Sequence, residues 1–75
     1  MESIGRRIRN ERERQGLTQE ELARKMGYKN RSVVSTMEAA TELSLKKVKK
    51  VAAALNVDPG YLMGYPSKKA DMGFT

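Results

Sequence analysis

There is no cysteine and no histidine among the 75 residues of this chain. Without cysteine there is no disulfide framework, no thiolate metal site and no cysteine nucleophile. Losing histidine as well removes the commonest zinc ligands and the commonest general base together. No glycine-rich phosphate loop and no close carboxylate constellation takes their place, so nothing assembles a catalytic mechanism. The expectation is a non-enzyme with no metal, no cofactor and no evident small-molecule ligand. Long apolar runs are missing too. The N-terminus shows no signal peptide and no membrane span, and the default is a soluble cytoplasmic protein in a reducing compartment. No segment of useful length alternates apolar with polar residues, so no strand is expected. Internal repeats and low-complexity tracts are absent.

What remains is a short chain rich in charge. Seventy-five residues make one small domain, and a domain of that size buries only about 60% of its unfolded surface. Lysine and arginine number 15 against nine acids, a net charge of +6. That excess favours an anionic partner, chiefly nucleic acid and secondarily a membrane surface. Alone it decides little, because many small basic domains bind no nucleic acid.

Helical signals fill most of the chain. The first helix is expected from about Ser3 to Gln15, with Ile4 and Ile8 on one face, Glu11 or Arg12 completing it, and Gly16 as its stop. Leu17 then turns inward. A second runs from about Gln19 to Met26, and a third from about Arg31 to Glu38 or Ala39. Residues 40–43 connect to a fourth helix that starts after Ser44, a candidate N-cap, and ends at Leu55. Its apolar positions Leu45, Val48, Val51, Ala52 and Leu55 keep the helical period. Asn56 and Val57 close it. The fifth is brief, with Asp58 as N-cap, Pro59 at the first position and Gly64 beyond the end. This places one domain over 1–64. Residues 65–75 read as a polar C-terminal tail or the start of a linker.

The segment from Thr18 to Glu38, TQEELARKMGYKNRSVVSTME, is the most informative. Thr18 is a good N-cap, and Glu21 three residues on completes a capping box. Leu22, Ala23 and Met26 recur at helical spacing. Gly27 stands where the chain must leave the helix through a left-handed backbone. A second short helix begins near Asn30 or Arg31, with Val34 and Met37 on its inner face. Ala23 is small enough to let two helices cross closely. Two short helices, a glycine in the turn and a small residue at the crossing constitute a helix-turn-helix, whose second helix is presented to a DNA groove.

With these residues in place the chain resembles the phage-repressor-like helix-turn-helix family, the Cro/C1 or Xre type. The resemblance is carried by IGRRIRNERERQGLTQEELARKMG, then SVVSTME, LKKVKKVAAALNV and DPGYLMG, about four-fifths of the chain. It implies an all-α, compact five-helix domain like that of lambda repressor. Such a domain binds double-stranded operator DNA, usually as a homodimer on a palindrome. By this likeness Arg31, Ser32 and Thr36 correspond to base-contacting positions, and Ser35 between them reaches a base or a phosphate. Gln19 corresponds to the glutamine that bonds a DNA phosphate at the start of the second helix, beside Thr18. Arg12 and Glu38 correspond to a charge pair tying the first helix to the end of the third. Two departures are visible. The turn carries one residue more than usual between Gly27 and Glu38, which leaves open which of Asn30, Arg31 and Ser32 touches bases. The loop after Glu38 holds Ala39, Ala40, Thr41 and Glu42 where the family has donors to phosphate, so fewer backbone contacts are expected from it.

The chemistry of these side chains fits the roles. Phosphate neutralisation supplies most affinity, and base edges supply specificity. The positive end of the second helix suits a phosphate. Lys29 and Asn30 in the turn, and Lys46 near the start of the fourth helix, are further phosphate candidates. A lysine at a helix N-terminus also favours an anion nearby, although the plain reading of Lys46, Lys47, Lys49 and Lys50 is a solvated face. Arg31 can bond O6 and N7 of guanine together; otherwise it is an exposed helix-start arginine. Ser32 either caps its helix or meets DNA. Arg6, Arg7, Arg9 and Arg14 with Glu11 and Glu13 read as a solvated, paired face. Tyr61, Met63 and Tyr65 are candidates for a two-fold interface, with core packing as the other reading.

The reading that follows is a transcriptional regulator, a repressor of phage, prophage or bacterial origin that occludes its operator. It is either a small Cro-like protein or the DNA-binding part of a longer repressor. The competing reading is a protein-interaction module, such as an antitoxin or coactivator, whose main partner is a protein. A basic amphipathic membrane binder is disfavoured, because the apolar helix faces are already needed for a core.

Overall fold

Local signals set the helix ends with little displacement from the sequence expectation. The computed structural model describes residues 2–64. Within them lie α1 (Ile4–Arg14), α2 (Gln19–Lys25), α3 (Ser32–Ala39), α4 (Leu45–Leu55) and α5 (Pro59–Leu62), with no strand. Side-chain caps start three of the five: Ser3 accepts from the Arg6 amide, Thr18 from Glu21 and Ser44 from Lys47. At Thr18 the capping box is complete in both directions, at 3.0 and 2.8 Å. Asn56 ends α4 in a left-handed conformation, a role asparagine fills at modest cost.

Periodicity decides what each helix buries. Ile8 of α1, Leu22 and Ala23 of α2, Val34 and Met37 of α3, Val48, Val51, Ala52 and Leu55 of α4, and Leu62 of α5 meet in one core with Met26. Ile4, Leu17, Val57, Tyr61 and Met63 pack against its margin. Leu45 is the exception to the expected stripe, since it remains 52% exposed. It occupies the first position of α4, where the helix has only begun to approach the core.

Two close approaches hold α3 in place. Ala23, in α2, is fully buried, and α2 packs on α3. Gly5 makes the second approach, and its importance is invisible in the sequence pattern. Its amide donates to the Ala40 carbonyl at 3.1 Å. A Cβ at Gly5 would lie 2.6 Å from the carbonyl oxygens of both Met37 and Ala40, and closer still to that of Glu38. Only glycine lets α1 cross the end of α3 at this distance.

Candidate nucleic-acid interface

The outward face of α3 follows from its inward one. Val34 and Met37 are buried, which turns Arg31, Ser32, Ser35 and Thr36 together into solvent. At 100° per residue these four cover an arc of about 140°, wide enough to address a major groove. The four proposed base-contacting residues are thus neighbours on one exposed surface.

The start of α3 differs in detail from the sequence reading. The helix begins at Ser32, and Arg31 is the flanking residue, with no side-chain cap of its own. Ser32 does not cap the helix. Asn30 Oδ1 accepts from the Ser32 amide at 2.9 Å and from Ser32 Oγ at 2.6 Å. Asparagine does this by folding its side chain back onto the backbone two residues ahead. Ser32 Oγ retains acceptor capacity, and Asn30 retains only its amide NH2 for a phosphate. The turn itself leaves α2 through Gly27 at φ +92°, a conformation costly for any residue with a Cβ.

Tyr28 lies in the same turn. Lys50 of α4 lies 4.6 Å from its ring centroid and donates to its hydroxyl at 3.2 Å. One of the lysines read as plain solvated surface therefore ties the turn to α4.

Gln19 is half-buried, and its Nε2 donates to Glu38 Oε1 at 3.1 Å. One amide hydrogen remains for a phosphate. Glu38 also receives Arg12 Nε at 2.6 Å and Arg12 Nη2 at 3.2 Å. Arg12 Nη1 donates in turn to the Leu17 carbonyl at 2.7 Å. The expected Arg12–Glu38 pair thus extends into a network over α1, α2 and α3. Hydrogen bonding to Glu38 outweighs burial and raises the Arg12 pKa further, so this guanidinium stays charged.

Thr18 is exposed, and its hydroxyl oxygen is occupied by the cap while its proton is available as a donor. Capping engages the Glu21 amide, and Glu20 and Glu21 occupy the first turn of α2. The positive end of this helix is therefore less open to a phosphate than the sequence reading assumed. Lys29 and Lys46 are both exposed. It is Lys47, however, that lines a cleft beside Ser32 and Thr36. Val33 lines the same cleft.

Away from this face, Glu11 corrects the picture of a solvated α1. It is only 2% exposed. It receives Arg14 Nε at 3.1 Å and Gln15 Nε2 at 2.8 Å, and Gln15 also reaches the Leu55 carbonyl at 2.7 Å. Burial alone would raise its pKa, but the hydrogen bonds from Arg14 and Gln15 and the Arg14 charge prevail and hold it below the ordinary carboxylate value. Arg6 and Arg9 do behave as read, pairing with Glu2 at 3.6 Å and Glu13 at 3.2 Å. Tyr61 and Met63 are half-buried against the core, and Tyr65 lies outside the described residues. No described helix is long and apolar enough to cross a membrane.

A helix-turn-helix with an outward second helix, on a five-helix all-α frame, defines the class. The chain belongs to the Cro/C1-type helix-turn-helix family of DNA-binding transcriptional regulators, whose family model matches residues 8–62. Two solved structures are similar to it. The restriction-modification controller protein C.AhdI from Aeromonas hydrophila is 38% identical, with a TM-score of 0.70 over 79% of this chain and 86% of that one. The hypothetical transcription factor NHTF from Neisseria is 33% identical, with a TM-score of 0.72 over 92% of this chain and 79% of that one. No curated protein matches.

Proposed function

We propose that the protein is a sequence-specific repressor that binds a palindromic operator as a homodimer, with α3 in the major groove. The observation that carries this reading is the single exposed face holding Arg31, Ser32, Ser35 and Thr36. Arg31 reads guanine through O6 and N7. Ser32, Ser35 and Thr36 bond adjacent base edges. Gln19, Thr18, Lys29, Asn30 and Lys46 meet phosphates on either side of the groove and set the register. Tyr61 on α5 and Met63 just beyond its end, with Tyr65, contribute to the two-fold contact. Repression follows by occlusion of polymerase from the bound operator.

The test is selection of bound duplexes from a random pool at near-physiological salt, followed by sequencing. A two-fold symmetric enriched motif is expected. Weak, salt-sensitive binding without enrichment would mean that phosphate contact exists without readout, and would overturn the reading. The likeness to C.AhdI favours a more particular duty, control of a restriction-modification system. In that case the selected motif recurs upstream of restriction or modification genes beside the gene for this protein.

A further inference from the structure

The side chain of Asn30 fixes the place of a proton that crystallography at ordinary resolution leaves open. Its Oδ1 accepts from the Ser32 amide at 2.9 Å and from Ser32 Oγ at 2.6 Å. A backbone amide only donates, so the atom it meets is the carboxamide oxygen and not the nitrogen. That oxygen carries no hydrogen. The second bond therefore has one polarity as well, with the serine hydroxyl as donor. A free serine hydroxyl turns to suit its partner and serves as donor or acceptor. In Ser32 the proton is committed inside the protein, and only oxygen lone pairs remain to face outward. Ser32 is exposed at the first position of α3, beside Arg31 and on the same outward face as Ser35 and Thr36.

Resting on the DNA-binding reading above, we infer that Asn30 is a positioning residue that makes Ser32 an acceptor only, and that Ser32 thereby selects an amino-bearing base, adenine or cytosine. In the major groove adenine offers its N6 amino group and cytosine its N4 amino group as donors. Guanine offers the acceptors N7 and O6 there, and thymine the acceptor O4 beside its methyl. An acceptor set against an acceptor leaves both unpaired and desolvated, which costs more than the bond would have contributed. Asn30 thus converts a hydroxyl of either polarity into a reader of one sign. Its carboxamide nitrogen keeps two donors for the phosphate proposed above for this residue. A phosphate bound there holds the carboxamide in the same orientation, so the backbone contact and the polarity of Ser32 support each other. Asn30 acts on the base through Ser32 and does not touch it.

The test uses the duplex that the protein itself selects from a random pool. Each adenine is replaced in turn by unsubstituted purine, and each cytosine by pyrimidinone, so that the exocyclic amino group is lost. At one position per half-site the loss of that hydrogen bond predicts an affinity drop of about five-fold. The drop disappears in Ser32→Ala, which separates it from any weakening of the duplex itself. In Asn30→Ala the hydroxyl is free to donate, and the preference at that position broadens to admit guanine or thymine. Asn30→Asp still accepts from both Ser32 groups. It keeps the wild-type preference at that position, although its added negative charge lowers affinity for every sequence alike. An enriched motif with no amino-group dependence that Ser32→Ala removes would overturn this inference and leave the DNA-binding reading standing. So would an unbroadened preference in Asn30→Ala. Failure to enrich any motif would overturn both.

Discussion

Arg31 carries the sharpest consequence of any single side chain. It is exposed and makes no cap, so removing it leaves the fold unaffected. Arg31→Ala is expected to cost about 1–3 kcal/mol of binding to the selected operator and to relax preference at one base pair. Affinities measured across all single-base operator variants check this, with a melting curve as the fold control. A variant with the wild-type profile at every position would show that Arg31 reads no base. Gly5 is the opposite case, remote from DNA and intolerant of any side chain. Gly5→Ala forces a methyl into three backbone carbonyls of the α3 terminus. A loss of about 1–3 kcal/mol of stability, or more, is expected from such overpacking, visible as a lower Tm. The glycine itself was plain in the sequence, but its neighbour was not. Residues 37–40 approach it only because α1 and α3 cross, and a lone glycine inside a helix leaves no other signal.

Between elements, the Arg12–Glu38–Gln19 network is what fixes α3 relative to α1 and α2. Glu38→Ala strands the Arg12 guanidinium, whose side chain is only 11% exposed. Breaking one partner of such a pair costs about 3 kcal/mol, and denaturant unfolding would read it directly. An unchanged midpoint would rule out the network as a stabilising contact. The same substitution frees Gln19, so binding should weaken at every sequence alike, unlike the one-position effect at Arg31. Glu11 ties α1, through Gln15, to the end of α4. Its pKa is lowered in the folded state, so its contribution is present above the unfolded carboxylate pKa, about 4.3. That contribution is lost as pH falls through the folded value. Tm should therefore decline on acidification below that point, and Glu11→Gln should flatten part of the decline. An identical pH dependence in the variant would show that Glu11 is not the titrating group. The charge pair was foreseeable from the family resemblance. The burial of Glu11 was not, because a glutamate among five arginines of one helix looks like any solvated face.

For the molecule as a whole, a net charge of +6 and the phosphate contacts proposed on both sides of α3 predict salt-dependent binding. The logarithm of the operator affinity should fall linearly with the logarithm of salt concentration. Lys47→Ala should reduce that slope by about one per protomer engaged if its ammonium meets a phosphate. An unaltered slope would place Lys47 away from the backbone. A dimeric complex also predicts half-sites about one helical turn, roughly 34–36 Å, apart. Inserting half a turn of DNA between them should abolish cooperative binding, whereas a monomeric reader would tolerate the insertion.

The helices, their ends and the helix-turn-helix were all legible in the chain, because caps, glycine stops and apolar periodicity act over three or four residues. Val34 and Met37 on the inner face of α3 likewise imply that Arg31, Ser32, Ser35 and Thr36 face outward. The rest depended on how elements separated in sequence come to lie together. Gln19 is drawn to Glu38, Lys50 to Tyr28, and Val33, Leu43 and Lys47 converge on one cleft. Those meetings depend on how the helices pack, as in the close approach of α1 to the end of α3 at Gly5, and packing geometry is a property of assembled surfaces that no local stretch of residues encodes.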